Sequence, residues 1–253
     1  MKKQTKHNKK KKNKKNKFFY IIPIATLMAI AAVLIVFVFK DDRVGDCGNH
    51  DKQGIDVSHH QGAIDWNRLA AAGDIKFAYI KATEGATHKD TRYHINMQQA
   101  REVGILVGSY HYFHPNVAVE KQFANFVDIA DPSMQDLIPV IDIEERGKKS
   151  DHAICDSLSK FMKLITSHYG VEPIIYTGQS YYNKILKDRF KKNRLWIARY
   201  GILKFKIRPR LNNEQECNIW QYSNRGRVEG IKGYVDLNTL CGNMEIEEIM
   251  IKK

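Results

Sequence analysis

Along most of this chain, polar and apolar positions alternate in short blocks of two kinds. Seven blocks are brief apolar runs rich in β-branched and aromatic residues: GIDVS (54–58), FAYIKAT (77–83), ILVGSYHYF (105–113), LIPVIDIE (137–144), PIIYTG (173–178), LWIARY (195–200) and NIWQYS (218–223). Their length and composition predict strands. Each of the first five is followed by a stretch with helical spacing. IDWNRLAAAG starts at Asp65, a predicted N-cap, and ends at Gly73; RYHINMQQAREVG ends at Gly104. AVEKQFANFVDIA puts Val119, Phe123, Phe126 and Val127 on one face, and residues 151–170 do the same with Ile154, Leu158, Phe161 and Ile165. SYYNKILKDRF is the fifth helix. Nearly continuous apolar strands alternating with helices imply an α/β fold, a parallel sheet with its helices outside. After about residue 190 the strands lose their helices. Residues 201–216 are basic and irregular, and 218–240 read as strand, Gly-rich turn, strand. No internal repeat and no domain-sized linker appears, so residues 54–253 form one catalytic-size domain.

A different block precedes this domain. Phe18 to Phe39 is 22 residues without a charge. A helix of about 20 residues spans a hydrocarbon core of about 30 Å, so this segment is expected to be one N-terminal transmembrane helix. It exceeds the apolar core of a cleaved leader, and its small residues Ala29 and Ala31 sit mid-span, so an uncleaved signal anchor is expected. Residues 1–17 carry ten lysines and no acid. This tail keeps the N-terminus cytoplasmic and places the catalytic domain outside the cytoplasm, on a stalk of residues 40–53. The tail also accounts for the overall charge of +13: residues 18–253 hold 31 basic and 28 acidic residues, a net of +3. A nucleic-acid binder needs its basic face on the folded part, so no nucleic-acid partner is expected. Four cysteines, Cys47, Cys155, Cys217 and Cys241, follow the span, where disulfides persist. Cys217 and Cys241 bracket the last segment, and a staple there and free buried thiols are both open.

In parallel α/β folds ligands meet the C-terminal strand ends. Those ends carry Asp56, Lys81, Glu84, Tyr110, His111, Tyr112, His114, Asp142, Glu144, Glu145, Tyr176, Arg199, Tyr200, Trp220, Gln221 and Tyr222, with Asp236 in the last segment. Carboxylates among aromatic rings suit a carbohydrate: rings stack on sugar faces and acids serve the glycosidic oxygen. In Val140-Ile141-Asp142-Ile143-Glu144, strand alternation sets Asp142 and Glu144 on one face and the isoleucines on the other. Two carboxylates close together push one proton affinity up, leaving an acid available near neutral pH. The same triplet also fits a strand end running into a solvated acidic loop. No metal-ligand spacing stands out. Ser58-His59-His60 has no H-E-x-x-H helix behind it, and the 176–180 turn lacks the second glycine of a nucleophile elbow.

Residues 54–240 resemble glycoside hydrolase family 25, the lysozymes that cleave peptidoglycan. The blocks GIDVSHHQGAIDW (54–66), FAYIKATEG (77–85), GSYHYFHP (108–115), PVIDIE (139–144), IIYTG (174–178), LWIARY (195–200) and IWQYS…GYVDLN (219–238) occur in the family's order. The resemblance implies a modified TIM-like barrel, five β/α units followed by mostly helix-free strands. It implies hydrolysis, without a cofactor, of the β-1,4 bond between N-acetylmuramic acid and N-acetylglucosamine in peptidoglycan glycan strands of a bacterial wall. Carried over, Glu144 is the general acid and Asp142 its partner carboxylate. Asp142 either stabilises charge at the anomeric carbon or, as favoured, holds the substrate's own acetamido group for net retention, and an inverting route stays open. Asp56 and Asp236 are further catalytic carboxylates, with Glu84, Tyr112, Tyr176, Arg199 and Trp220 as substrate contacts. His88 departs from the pattern, where an apolar or aromatic side chain is usual. An inactive peptidoglycan-binding module on the same fold is the alternative; the intact acids argue against it.

Overall fold

The computed structural model describes residues 26–33, 42–43, 52–201, 206–212 and 214–252, in two units that divide after residue 40. In the first unit, residues 26–33 form a helix, α1, with Leu27, Met28, Ile30 and Val33 exposed. Among the described residues no helix is long and apolar enough to cross a membrane. The lysine tail, the rest of the expected span and most of the stalk, with Cys47, lie outside the described residues.

The second unit holds the strands β1 (Asp42–Arg43), β2 (Gln53–Val57), β3 (Phe77–Glu84), β4 (His88–Lys89), β5 (Leu106–Tyr112), β6 (Val140–Asp142), β7 (Ile174–Gly178), β8 (Leu195–Ala198), β9 (Ile219–Arg227) and β10 (Val235–Leu240). Its main helices are α2 (Trp66–Ala72), α3 (Tyr93–Glu102), α4 (Val119–Val127) and α5 (Asp151–Tyr169). A short fifth, Gln179–Tyr181, runs into a π turn at Tyr182–Leu186. Strands β2, β3, β5, β6, β7, β8, β9 and β10 pair in that order, and β10 returns to β2, closing an eight-stranded barrel. Neighbours are parallel except where β10 meets β9 and β2. Five β/α units followed by three helix-free strands is the order the sequence predicts.

The alternation of side chains makes two cores. Phe77, Tyr79, Val140, Ile174, Trp196 and Ile219 fill the barrel interior. Ala78, Ile80, Ile141, Ile143, Ile175 and Ile197 face outward and pack beneath the helices. Helix α5 supplies Ile154, Leu158, Phe161 and Ile165 to this outer layer, all fully buried, and ends at Gly170, whose left-handed φ of 71° suits a residue without Cβ. The opposite end of the barrel from the strand C-termini is closed by the turn Ile246–Ile249: Ile138 N donates to Ile249 O at 2.8 Å. Cys217 and Cys241 form a disulfide that ties the approach to β9 to the exit of β10, and Cys155 is a free, buried thiol.

One strand is shorter than expected. LIPVIDIE pairs only over Val140–Asp142. Pro139 has no N–H to give the ladder, and Glu144 lies past its end. The alternation nevertheless persists, because Ile143 N donates to Tyr176 O at 3.0 Å and keeps the chain extended.

Candidate active site

A cleft of about 320 Å³ opens at the C-terminal ends of the parallel strands. Asp56 from β2, Asp142 from β6, Glu144 just beyond it and Asp236 from β10 all line it, among the rings of Tyr110, Tyr112, Tyr176, Trp196 and Tyr200. A larger open groove of about 810 Å³ runs past Arg68, Glu229 and Gly230, but its lining has no aromatic ring and none of the four carboxylates. The smaller cleft is therefore the candidate site.

Strand parity selects the cleft residues. Ile55 and Val57 pack outward, so Asp56 points in; on β10 Asp236 stands directly across from it in register. Asp56 is held by a shell of amides. Its Oδ2 accepts from Gln221 Nε2 at 2.9 Å and Asn238 Nδ2 at 2.8 Å. Those amides are fixed in turn: Tyr176 and Tyr200 hydroxyls donate to Gln221 Oε1 at 2.9 and 2.7 Å, and Trp196 Nε1 donates to Asn238 Oδ1 at 2.9 Å. Burial raises the proton affinity of Asp56, and the two amide donors oppose the rise. Asp236 is raised by burial and then by the nearby Asp56 and Glu144.

Asp142 is pushed well above the usual carboxylate range by burial, then by Glu144 and Asp56. Its Oδ1 is buried without a hydrogen-bond partner. Glu144 is also raised, by burial and by Asp56 and Glu145, while a hydrogen bond with Asp142 works the other way. Burial is the first cause for both, so each carboxyl holds its proton more tightly than a solvated acid does. Lys81 reaches the same cleft, its Nζ 2.7 Å from Glu84 Oε2 and 5.1 Å from the Tyr112 ring centre. Burial alone would raise Glu84, but the hydrogen bonds and charges of Lys81 and His114 outweigh it and bring Glu84 down to about 2. Glu84 thus stays a carboxylate that positions Lys81, and His114 links it onward to Glu145 at 3.3 Å. The tyrosine hydroxyls at 110, 176 and 200 are raised by burial beside the acids and remain protonated donors.

Of the sequence-predicted residues, Asp56, Asp142, Glu144, Asp236, Tyr112 and Tyr176 meet in the cleft, and Glu84 sits behind Lys81. Two do not. Trp220 is buried in the outer layer and donates its Nε1 to Arg199 O at 2.8 Å. Arg199 turns to Gln179 Oε1 and Arg208 O at 3.0 and 2.8 Å. Parity is the reason: Ile219 and Gln221 face in, so Trp220 faces out, and Trp196 facing in turns Arg199 away. Tyr200 and Gln221, both among the strand-end residues of the sequence, also line the cleft; Trp196, inside β8, completes it, and inward parity with Ala198 would have found it.

The family described as glycosyl hydrolases family 25 matches residues 55–231. The uncharacterised protein YegX of Escherichia coli K12 is 40% identical over 196 residues, 76% of this chain and 70% of the relative. Lysozyme M1 of Streptomyces globisporus is 33% identical over 220 residues, covering 80% of this chain and 72% of the relative. Among solved structures, a family 25 glycosyl hydrolase from Bacillus anthracis superposes with a TM-score of 0.70 at 32% identity, over 79% of this chain and 94% of that one.

Proposed function

The chain belongs to glycosyl hydrolases family 25, and from that premise we propose that it is a muramidase. It would cut the β-1,4 bond between N-acetylmuramic acid and N-acetylglucosamine in peptidoglycan. The observation that carries the reading is the Asp142–Glu144 pair, two acids of raised proton affinity lining the cleft at the mouth of the closed barrel.

Glu144 donates its proton to the glycosidic oxygen as the C1–O bond breaks, and N-acetylglucosamine leaves. The charge of Asp56 helps keep that proton in place beforehand. Asp142 needs a donor for its unpartnered Oδ1. The acetamido N–H of the muramic residue is one, and accepting it drives the acetamido oxygen onto C1. Water then opens the resulting ring while Glu144, now a carboxylate, takes its proton. The configuration at C1 is retained. Asp236, neutral through its raised proton affinity, donates a hydrogen bond to the sugar. Tyr112 and Tyr176 offer ring faces for stacking. No cofactor is required.

We further read residues 18–39 as an uncleaved anchor that leaves the lysine tail cytoplasmic and the hydrolase facing the wall. The length and apolarity of the segment support this.

The chemistry is tested on purified murein. Glu144→Gln should lower kcat by about 10²–10⁴-fold with KM little changed. Mass spectrometry of the wild-type products should show N-acetylmuramic acid at the new reducing end. Full turnover by the Glu144 variant, or a reducing N-acetylglucosamine, would overturn the assignment.

A further inference from the structure

A second cluster lies at the rim of the cleft, outside the catalytic set. His59 is on the turn His59–Gln61 after β2, His88 is on β4, and Asp90 follows it. His88 and Asp90 are two residues apart on extended chain, which puts both side chains on one face. That face meets His59. One potential ligand atom from each of the three residues lies within 4.8 Å of the others. His59 Nδ1 is 2.7 Å from Asp90 Oδ2, and the rings of His59 and His88 are 6.0 Å apart.

Both supports of the cluster are held in place. The Asp90 side chain is fully buried, and backbone N–H groups of His59 and Arg92 fix its two oxygens at 3.0 and 2.9 Å. The hairpin bearing His88 is pinned by Asn125 Nδ2, which donates to Gly85 O and His88 O at 3.0 and 3.1 Å. The turn bearing His59 is closed by a reciprocal Ser58–Gln61 cap. Among the described residues, the only ion pair that Asp90 makes is with the His59 imidazole, so the buried carboxylate has no permanent cation beside it. Two imidazoles and a carboxylate oxygen form a donor set suited to Zn²⁺ and its neighbours and poorly suited to Mg²⁺ or Ca²⁺. At metal–ligand bonds of about 2.0–2.2 Å, tetrahedral ligands sit about 3.3 Å apart. The His59–Asp90 contact then opens by a fraction of an ångström, and the exposed His88 ring swings inward.

We propose that His59, His88 and Asp90 form a binding site for one Zn²⁺-class ion, with water completing the shell. The bound ion ties the turn after β2 to the β3–β4 hairpin. Ser58 and His60 of that turn, and Lys81 of β3, line the cleft, so the metal stiffens the rim of the substrate groove without entering the reaction.

The test uses untagged, detergent-solubilised full-length protein, stripped with chelator and titrated with ZnCl₂ by calorimetry. Bound metal is counted by mass spectrometry after gel filtration. The wild type should hold one Zn²⁺ per chain and melt at a higher temperature with it. His88→Ala alters an exposed side chain, so its metal-free melting temperature should match the wild type, and its Zn²⁺ affinity should fall at least tenfold. Asp90→Asn should weaken binding as well. No binding by the wild type, or a loss below tenfold in His88→Ala, overturns the proposal.

Discussion

Asp142 shows most clearly how a single side chain links stability to function. Its carboxyl is buried, faces Glu144 and Asp56, and leaves Oδ1 without a donor. The folded protein therefore binds its proton more tightly than the unfolded chain does. A group raised in this way favours folding at low pH, and that contribution is lost as pH rises through the folded value. Above it, the ionised carboxylate is a cost, which the apo protein bears because the site needs the group. Asp142→Asn should therefore raise Tm at pH 8 by several degrees relative to wild type, with the difference shrinking towards pH 4; each kcal/mol corresponds to about 2–4 °C in a domain of this size. The same variant should lose roughly 10²-fold or more in kcat on murein, because the neutral amide cannot supply the negative charge that drives the acetamido oxygen. Calorimetric scans at the two pH values decide it: a variant less stable at pH 8 would mean that Asp142 supports the fold rather than burdening it. His111 pulls the other way. Burial lowers its proton affinity to about 3, so between its unfolded value of about 6.5 and that point acid favours the unfolded chain.

At the level of strands and helices, the period-2 rule decides what was legible. Asp65 as a helix start, the buried face of α5 and the five β/α units followed the apolar spacing and the caps, which are local signals. Asp142 and Glu144 share a face because Ile141 and Ile143 are both buried outward, again a local matter. Arg199 and Trp220 misled because chemical type suggested a sugar contact, whereas their register turned them out of the barrel. The amide shell of Asp56 was hidden for another reason: Gln221 and Asn238 come within reach only when β9 and β10 close the barrel, across 165 and 182 residues of chain. A paired substitution tests this parity argument. Trp220→Phe removes the bond to Arg199 O and should cost about 1 kcal/mol of stability while leaving kcat/KM within about twofold. Trp196→Phe frees Asn238, which holds Asp56, and should lower kcat several-fold at a similar loss of stability. Equal activity losses in the two, measured by reducing-end release, would show that facing in or out does not govern function here.

At the scale of the whole chain, two segments of contrasting chemistry follow one another. Ten lysines occupy residues 1–17, an uncharged stretch of 22 residues comes next, and the remainder is close to electrically balanced. A basic folded face would have attracted an anionic polymer to the barrel, whereas on the proposed anchoring a lysine block ahead of an apolar span would act as an orientation signal, resisting passage across the membrane. On that anchoring, the expected stalk at 40–53 is not free chain throughout, because Asp42 and Arg43 already pair with β9 of the barrel and Gln53 opens β2. On the proposed reading, tethering would confine cleavage to wall glycan near the membrane and leave catalysis to residues 41–253, a unit with its own closed barrel and core. Full-length protein should therefore stay in the membrane pellet through an alkaline carbonate wash and be released by detergent. Residues 41–253 alone should be soluble and cut murein in solution with a kcat within a few-fold of the full chain. In intact cells, protease added outside should reach the barrel and spare the lysine tail, and replacing those lysines with glutamines should make that orientation mixed. Release of the full chain by carbonate would remove the anchor and leave a hydrolase free to diffuse, and a tail exposed to outside protease would reverse the proposed orientation.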